Sequence, residues 1–405
     1  MIYNCLLALG FLAFLPKILW ESRKKQFPTF KERLGVDFPD PKGRAVLWIH
    51  AVSVGEVKAA KPLFEKIRAE SPRAFILVTT ASVTGQEEAK RSLSQADAFR
   101  FLPLDFSWIV KRWVRALQPK VLLFSESDCW YNLAKQVSKA GGKVALISGK
   151  ISERSTKRYR WVPWFAKKLF SCFDLLLLQN EEYLTRFQSI IDTPEKLSIT
   201  GNLKFDAAPI AIDKTCYSLP LGIAITCTHA PEEEEILDAL EGIDLPIFLA
   251  PRHPERFQEV AHLLEQKNIA YVRWSEREKK GGGERVILID GMGLLPIIYT
   301  FSKLAIVAGS FSSCIGGHNI LEPCLYGVPV FFGPHMHQQT ELRDRLLASG
   351  AGVQTTLSDL PGAIQQFLAS PTAQKAAVQK LLIQTQGPLQ KTWEKLQPFF
   401  KIACV

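Results

Sequence analysis

Short apolar runs recur along this chain, each followed by a polar turn and then a stretch with helical spacing. In the first half they fall at 45–50, 74–79, 99–102, 121–124, 144–147, 174–178 and 197–200. In the second half they fall at 222–226, 246–250, 269–273, 286–289, 304–308 and 328–332. The run at 304–308 is continuously apolar and reads as a buried strand. Strands separated by helices at this spacing predict parallel, doubly wound α/β sheets. From 358 to 400 the pattern is helical.

The most informative stretch is 304–335, LAIVAGSFSSCIGGHNILEPCLYGVPVFFGPH. An apolar strand runs into a turn of Gly and Ser, then Gly316, Gly317, His318 and Asn319. Asn319 is a good N-cap, so a helix is expected to begin there, with Glu322 on its first turn and Gly327 ending it before Pro329. A glycine-rich loop at the carboxyl end of a strand, feeding a helix, is where nucleotides and phosphates bind in open α/β sheets. A tight connection with no ligand is the competing reading of a Gly-Gly pair. The His-Asn-x-x-Glu cluster favours a site, since a carboxylate there suits a ribose diol.

Polar clusters recur at the same place in other units. Glu56 follows the strand at 45–50, Thr84 the next, and Glu126, Arg154 and Lys204 later ones. All five are expected to line one crevice at the carboxyl edge of the sheet. Glu56 also has a plain reading, an acid compensating a helix dipole. In the second half, Thr228 to Glu234 and Pro251 to Arg256 likewise follow strands. Arg252 is placed for a phosphate, whose geometry a guanidinium matches.

Length and charge refine this. At 405 residues, two domains are the natural expectation. The net charge of +10 suits an anionic partner. No nucleic-acid motif accompanies it, so nucleic acid is not expected as a partner. The eight cysteines include no C-x-x-C pair and read as reduced, mostly buried thiols. His335 and His337 have no supporting ligands nearby in sequence, so no metal and no cofactor are expected. Residues 1–20 are nearly all apolar, with Lys and Arg at 23, 24, 25, 31 and 33 directly after. That predicts a membrane segment with the following body on the cytoplasmic side. A buried core helix is the alternative, and Pro16 and Lys17 leave open whether the segment spans or lies in one leaflet. The expected division is an anchor over 1–22, a Rossmann-like domain over 23–206, a connection over 207–220, a second Rossmann-like domain over 221–385, and a C-terminal helix over 386–405 packing back on the first domain.

Several motifs together resemble a known family. SVGE at 53–56, TG at 84–85, SERS at 152–155, TGNLKFD at 200–206, PRHPERF at 251–257 and GGHNxLEP at 316–323 resemble the Kdo transferases, the 3-deoxy-D-manno-octulosonic acid transferases of glycosyltransferase family 30. The resemblance implies a GT-B fold, with two Rossmann-like domains facing a cleft, and an N-terminal apolar helix attached to the inner membrane. It implies inverting transfer of Kdo from CMP-Kdo to a lipid A precursor in lipopolysaccharide assembly, beside anionic lipid on the cytoplasmic side. Carried over by position, Glu56 matches the general base, and Glu126 and Lys204 match residues that stabilise the transition state. The CMP site would comprise Pro251 and Arg252, then Met292, Gly293 and Leu294, then Asn319, Ile320, Leu321 and Glu322.

The chain departs from the family pattern in three places. The usual Glu-Thr-Glu-Leu-Trp-Pro reads Glu126-Ser127-Asp128-Cys129-Trp130-Tyr131. The usual Asn-Ala-Arg reads Ser148-Gly149-Lys150, and the usual Met-Gly-Glu reads Met292-Gly293-Leu294. Two rivals stand beside the transferase reading: a GT-B enzyme using a uridine nucleotide, such as a nucleotide-sugar epimerase, and a non-catalytic membrane scaffold.

Overall fold

The computed structural model describes residues 3–5, 7–10, 30–206, 209–277 and 284–403. The chain divides into two compact units, one of residues 1–207 with 386–405, the other of 208–385. Among the described residues, each unit is built on one seven-stranded sheet whose strand pairings are all parallel.

The first sheet contains β1 (Val46–His50), β2 (Phe75–Thr80), β3 (Ala98–Phe101), β4 (Val121–Ser125), β5 (Lys143–Gly149), β6 (Leu175–Leu178) and β7 (Leu197–Ile199). Their spatial order is β3-β2-β1-β4-β5-β6-β7. The chain moves outward from β1 in one direction and then resumes from β1's other side with β4. The switch point therefore lies between the carboxyl ends of β1 and β4, where such sheets open a crevice. Side chains alternate between faces: Val46 and Trp48 enter one core, Leu47 and Ile49 the other. Both faces are covered, which is why β1 is apolar at Val46, Leu47, Trp48 and Ile49 in succession and ends on a wholly buried His50. The C-terminal helix Pro388–Ala403 covers part of one face with Trp393, Leu396, Phe399 and Phe400.

The second sheet contains β8 (Gly222–Thr228), β9 (Ile247–Pro251), β10 (Tyr271–Arg273), β11 (Val286–Leu288), β12 (Ser302–Val307), β13 (Val330–Phe332) and β14 (Gly352–Gln354). The order is β10-β11-β9-β8-β12-β13-β14, so the switch point falls between β8 and β12. Ile223 and Ile225 face one core and Ala224 the other. Ile212, Tyr217 and Leu219, from the segment read as a connection, pack against this second core.

One strand was not foreseen, and one helix start is corrected. β14 has no apolar run in the sequence. It is an edge strand held by pairing Val330 with Gly352, Phe331 with Val353 and Phe332 with Gln354. The helix expected from Asn319 begins at Leu321 and ends at Leu325. Gly316 and Gly317 sit at φ of +87° and +88°, where Cβ atoms would fall 2.4 Å from His337 Nε2 and 2.3 Å from Met336 Sδ. That left-handed turn uses up the chain that would have formed the first turn. Asn319 Oδ1 then accepts the Leu321 N–H at 3.1 Å.

No helix among the described residues is long and apolar enough to cross a membrane. Most of the apolar stretch 1–22 lies outside the described residues. Within it, the Tyr3 hydroxyl donates to Asp105 Oδ2 at 2.8 Å, and Asn4 Oδ1 accepts from Asn132 Nδ2 at 2.7 Å.

Candidate functional site

The first unit gathers its chemistry at the β1/β4 switch point. After β1, Ser53 caps the helix Val54–Glu70 and Glu56 lies in its first turn. Glu56 Oε2 accepts the Val52 N–H at 2.7 Å. This ties the carboxylate back to the strand end, leaving Oε1 as its other acceptor. Burial raises the Glu56 carboxyl first of all, and the charge on Glu126 pushes the same way, so it reaches about 7.

Glu126 follows β4 and is itself buried, at 2% exposure. Its backbone is left-handed, with φ of 60°, a conformation that costs energy for a residue with a side chain. The conformation is held by the Glu126 N–H donating to the Ile147 carbonyl and by the Lys150 N–H donating to the Glu126 carbonyl. Lys204 Nζ meets Oε1 at 2.7 Å and Lys150 Nζ meets Oε2 at 2.5 Å. Burial works to raise this carboxyl, but the two ammonium groups outweigh it and hold the group at about 2. Two carboxyls at one switch point thus differ in protonation because both ammonium groups pair directly with Glu126.

Lys204 lies on the 3-10 helix Leu203–Asp206, and its neighbours fix it. Asn202 Oδ1 accepts the Lys204 N–H at 3.0 Å, and Ser148 Oγ accepts the Leu203 N–H at 3.3 Å. Asp206 accepts the N–H groups of Gly387 at 2.9 Å and Leu389 at 2.5 Å, capping the C-terminal helix. Gly201, at φ of +95°, lies under Pro388, where a Cβ would come within 2.8 Å of its ring.

The altered segment after Glu126 is packed. Asp128 Oδ2 accepts the Trp130 indole N–H at 2.8 Å and lies 3.5 Å from His50 Nε2. His50 Nδ1 is 3.1 Å from the Thr79 carbonyl and 3.0 Å from Thr79 Oγ1. Thr84 and Arg154 are exposed. Among the described residues, neither pairs with Glu56 or Glu126.

The second unit gathers its polar groups at the β8/β12 switch point. The loop after β12 was expected to offer free backbone N–H groups. Instead Glu232, from the helix Glu232–Ala239, takes the N–H groups of Gly309 at 2.7 Å, Phe311 at 3.0 Å and Ser312 at 3.2 Å. The anion nest is filled by the protein's own carboxylate. Its neighbour Glu233 accepts from Thr228 Oγ1 at 3.0 Å and pairs with Arg256 at 3.2 Å. The two acids thereby tie together the loops after β8, β9 and β12.

The positions assigned to the nucleotide all belong to this unit. Pro251 ends β9, and Arg252 is half-buried, its N–H donating to the Thr228 carbonyl at 3.1 Å. Ile320 and Leu321 are fully buried, main chain included, so neither is open to a ligand in this conformation. Glu322 acts electrostatically on Tyr299. Met292 is exposed, Gly293 is left-handed, and Leu294 packs against the second unit's core. An apolar contact thus replaces the carboxylate of the family pattern.

Sequence reasoning passed over Lys150, Glu232 and the His229–His318 contact. Lys150 registered only as a departure from a motif. Glu232 opens a run of four acids at a helix start, which reads as dipole compensation.

Among solved structures the chain is similar to the UDP-GlcNAc 2-epimerase from Neisseria meningitidis bound to UDP-GlcNAc, with a TM-score of 0.58, 14% identity, and coverage of 88% of this chain and 100% of that one. A glycosyltransferase from Rickettsia africae gives a TM-score of 0.57 at 11% identity, covering 89% and 99%. Two parallel-sheet α/β units, as in these GT-B-like enzymes, define the class. The family described as 3-deoxy-D-manno-octulosonic-acid transferase (kdotransferase) matches residues 28–207. The 3-deoxy-D-manno-octulosonic acid transferase of Chlamydophila psittaci is 33% identical, with 100% of this chain and 97% of that one aligned. That of Haemophilus influenzae is 31% identical over 92% and 93%. The chain belongs to the 3-deoxy-D-manno-octulosonic acid (Kdo) transferase family, glycosyltransferases of lipopolysaccharide biosynthesis.

Proposed function

We propose that this glycosyltransferase moves Kdo, with inversion, from CMP-Kdo to a hydroxyl of a lipid A precursor, lipid IVA, and releases CMP. Glu56 is the general base. The acceptor oxygen forms a bond to the anomeric carbon as its proton passes to Glu56, while the bond to the phosphate oxygen breaks and CMP leaves with the electron pair. A positioned base of this kind contributes about 10²–10⁴-fold in rate. Its efficiency is greatest when its pKa lies near the working pH. The observation that carries the reading is therefore the Glu56 carboxyl raised to about 7 at the β1/β4 switch point.

Glu126 and Lys204, with Lys150, supply preorganised charge at the reacting centre. Pro251, Arg252, Met292 to Leu294 and Asn319 to Glu322 hold the CMP portion. The apolar stretch 1–22 and the basic residues after it attach the enzyme to the inner membrane with its body on the cytoplasmic side, where anionic lipid attracts positive charge.

The test is transfer by the purified full chain from CMP-Kdo to lipid IVA, with products resolved by mass and Glu56→Gln alongside. Addition of Kdo by the wild type and its loss in the variant supports the reading. Stabilisation by UDP rather than CMP, with no transfer, would replace it with a uridine-nucleotide enzyme.

A further inference from the structure

Three imidazoles gather where β8, β9 and β12 end. His229 Nε2 and His318 Nε2 are 2.8 Å apart, with ring centroids 5.1 Å apart and planes within 12° of each other. His253 meets His229 edge to face at 5.4 Å. These are not converging metal ligands. Among the described residues no group of three or more His, Cys, Asp or Glu could hold a metal ion, and the two Nε2 atoms are spent on each other.

A hydrogen bond between two Nε2 atoms holds one proton, so one ring donates and the other accepts. Both residues are half-buried. The charged groups acting on them are Arg252 and Arg256 after β9, together with His253. Burial and this positive surrounding hold His318 at about 4 and lower His229 as well. The cluster is thus rich in cationic and donor groups. The two acids that open the helix after β8 are committed elsewhere, Glu232 to the Gly309, Phe311 and Ser312 N–H groups and Glu233 to Arg256 and Thr228.

The cluster is also next in sequence to positions assigned to the nucleotide. His253 follows Arg252, and His318 precedes Asn319. An ulosonic acid carries its carboxylate directly on the anomeric carbon, so in the donor that carboxylate lies close to the phosphate. We infer that His229 and His318, with Arg252, receive an oxyanion of the donor: the sugar carboxylate, or the phosphate next to it. The mutual His229–His318 bond opens on binding. Each Nε2–H then turns to an anion oxygen, the second proton being taken up from solvent as the negative charge arrives. This rests on the reading of the donor as CMP-Kdo.

The test measures the donor KM in transfer, and the affinities of CMP and cytidine by calorimetry, for wild type, His229→Asn and His318→Gln. His262→Gln, an exposed helix-surface histidine paired with Glu265, is the control, and melting temperature checks folding. Loss of a charge-assisted bond should cost about tenfold or more in the affected affinity. A donor KM raised by that factor with CMP affinity unchanged identifies the carboxylate. CMP weakened by that factor with cytidine unchanged identifies the phosphate. If neither the donor KM nor the CMP affinity moves by more than about twofold in variants that melt like wild type, the inference is overturned. Calorimetry needs no turnover, so absence of transfer by wild type would count against the transferase reading and leave the CMP arm informative.

Discussion

Glu56 and Glu126 act on each other electrostatically, yet one carboxyl is raised to about 7 and the other held at about 2. The division follows from who holds the cations. Lys204 and Lys150 both pair with Glu126, while for Glu56 burial and the repulsion of Glu126 and Asp128 outweigh the Val52 N–H and the more weakly acting Lys150.

The rate of transfer should therefore rise with pH through an acid limb near 7, as Glu56 loses its proton. Glu56→Gln should remove about 10²–10⁴-fold of the rate. Stability should move the other way. A carboxyl raised in the folded state adds stability that is full below its ordinary value and is lost as pH rises through about 7. Glu56→Gln should accordingly melt above wild type at pH 8 and show no such gain at pH 4, which thermal melts at the two pH values will check.

Lys150 lowers the Glu56 carboxyl and Glu126 raises it. Lys150→Met should move the acid limb of the pH–rate profile upward. Glu126→Gln should move it downward, as far as residual activity allows it to be measured. Opposite shifts support the coupling, and equal shifts of one sign refute it.

Removing the Glu126 charge also leaves two ammonium groups facing each other. Glu126→Gln should cost about 3 kcal/mol, the low end for breaking a buried pair, because Lys150 keeps a third of its side chain in solvent. In the wild type that stability is present above the ordinary glutamate value and lost as pH falls through about 2. Denaturant unfolding at pH 7 gives the difference directly.

Asp206 caps the C-terminal helix from the same short segment that carries Lys204. Asp206→Ala should cost about 1 kcal/mol as a lost cap and lower kcat by loosening Lys204. Asp206→Asn, which keeps an acceptor, should recover most of both. A loss of stability with kcat unchanged would mean that the cap does not position Lys204.

Glu232→Gln places an amide N–H₂ where a carboxylate now accepts three backbone N–H groups. At least one donor then faces a donor. The expected destabilisation is about 1–3 kcal/mol, accompanied by weaker CMP binding as the loop after β12 loosens. Melting and CMP calorimetry report the two effects separately.

Local chemistry was written plainly along the chain. Mainly apolar runs marked β1 to β13, continuous where both faces are buried, as in β13, and interrupted by polar residues in the partly buried β3 and β7. Polar residues just after those runs marked Glu56, Glu126, Lys204 and Arg252, because strand ends are where a parallel sheet opens to ligand. β14 escaped because an edge strand of Gly, Val and Gln carries no apolar run and exists only through its pairing with β13.

What the sequence could not contain was who meets whom. The order of strands decides that β1 and β4 are neighbours, and so brings Glu56 beside Glu126 across a long separation in sequence. The same folding sets Lys150 against Glu126, fills the loop after β12 with Glu232, and joins His229 to His318. The sequence alone determined which residue types stand at the strand ends, since hydropathy and turn chemistry act over a few neighbours. Tertiary structure alone decided their charges and partners. Desolvation and Coulomb interactions depend on distance in space, and the sheet order sets that distance.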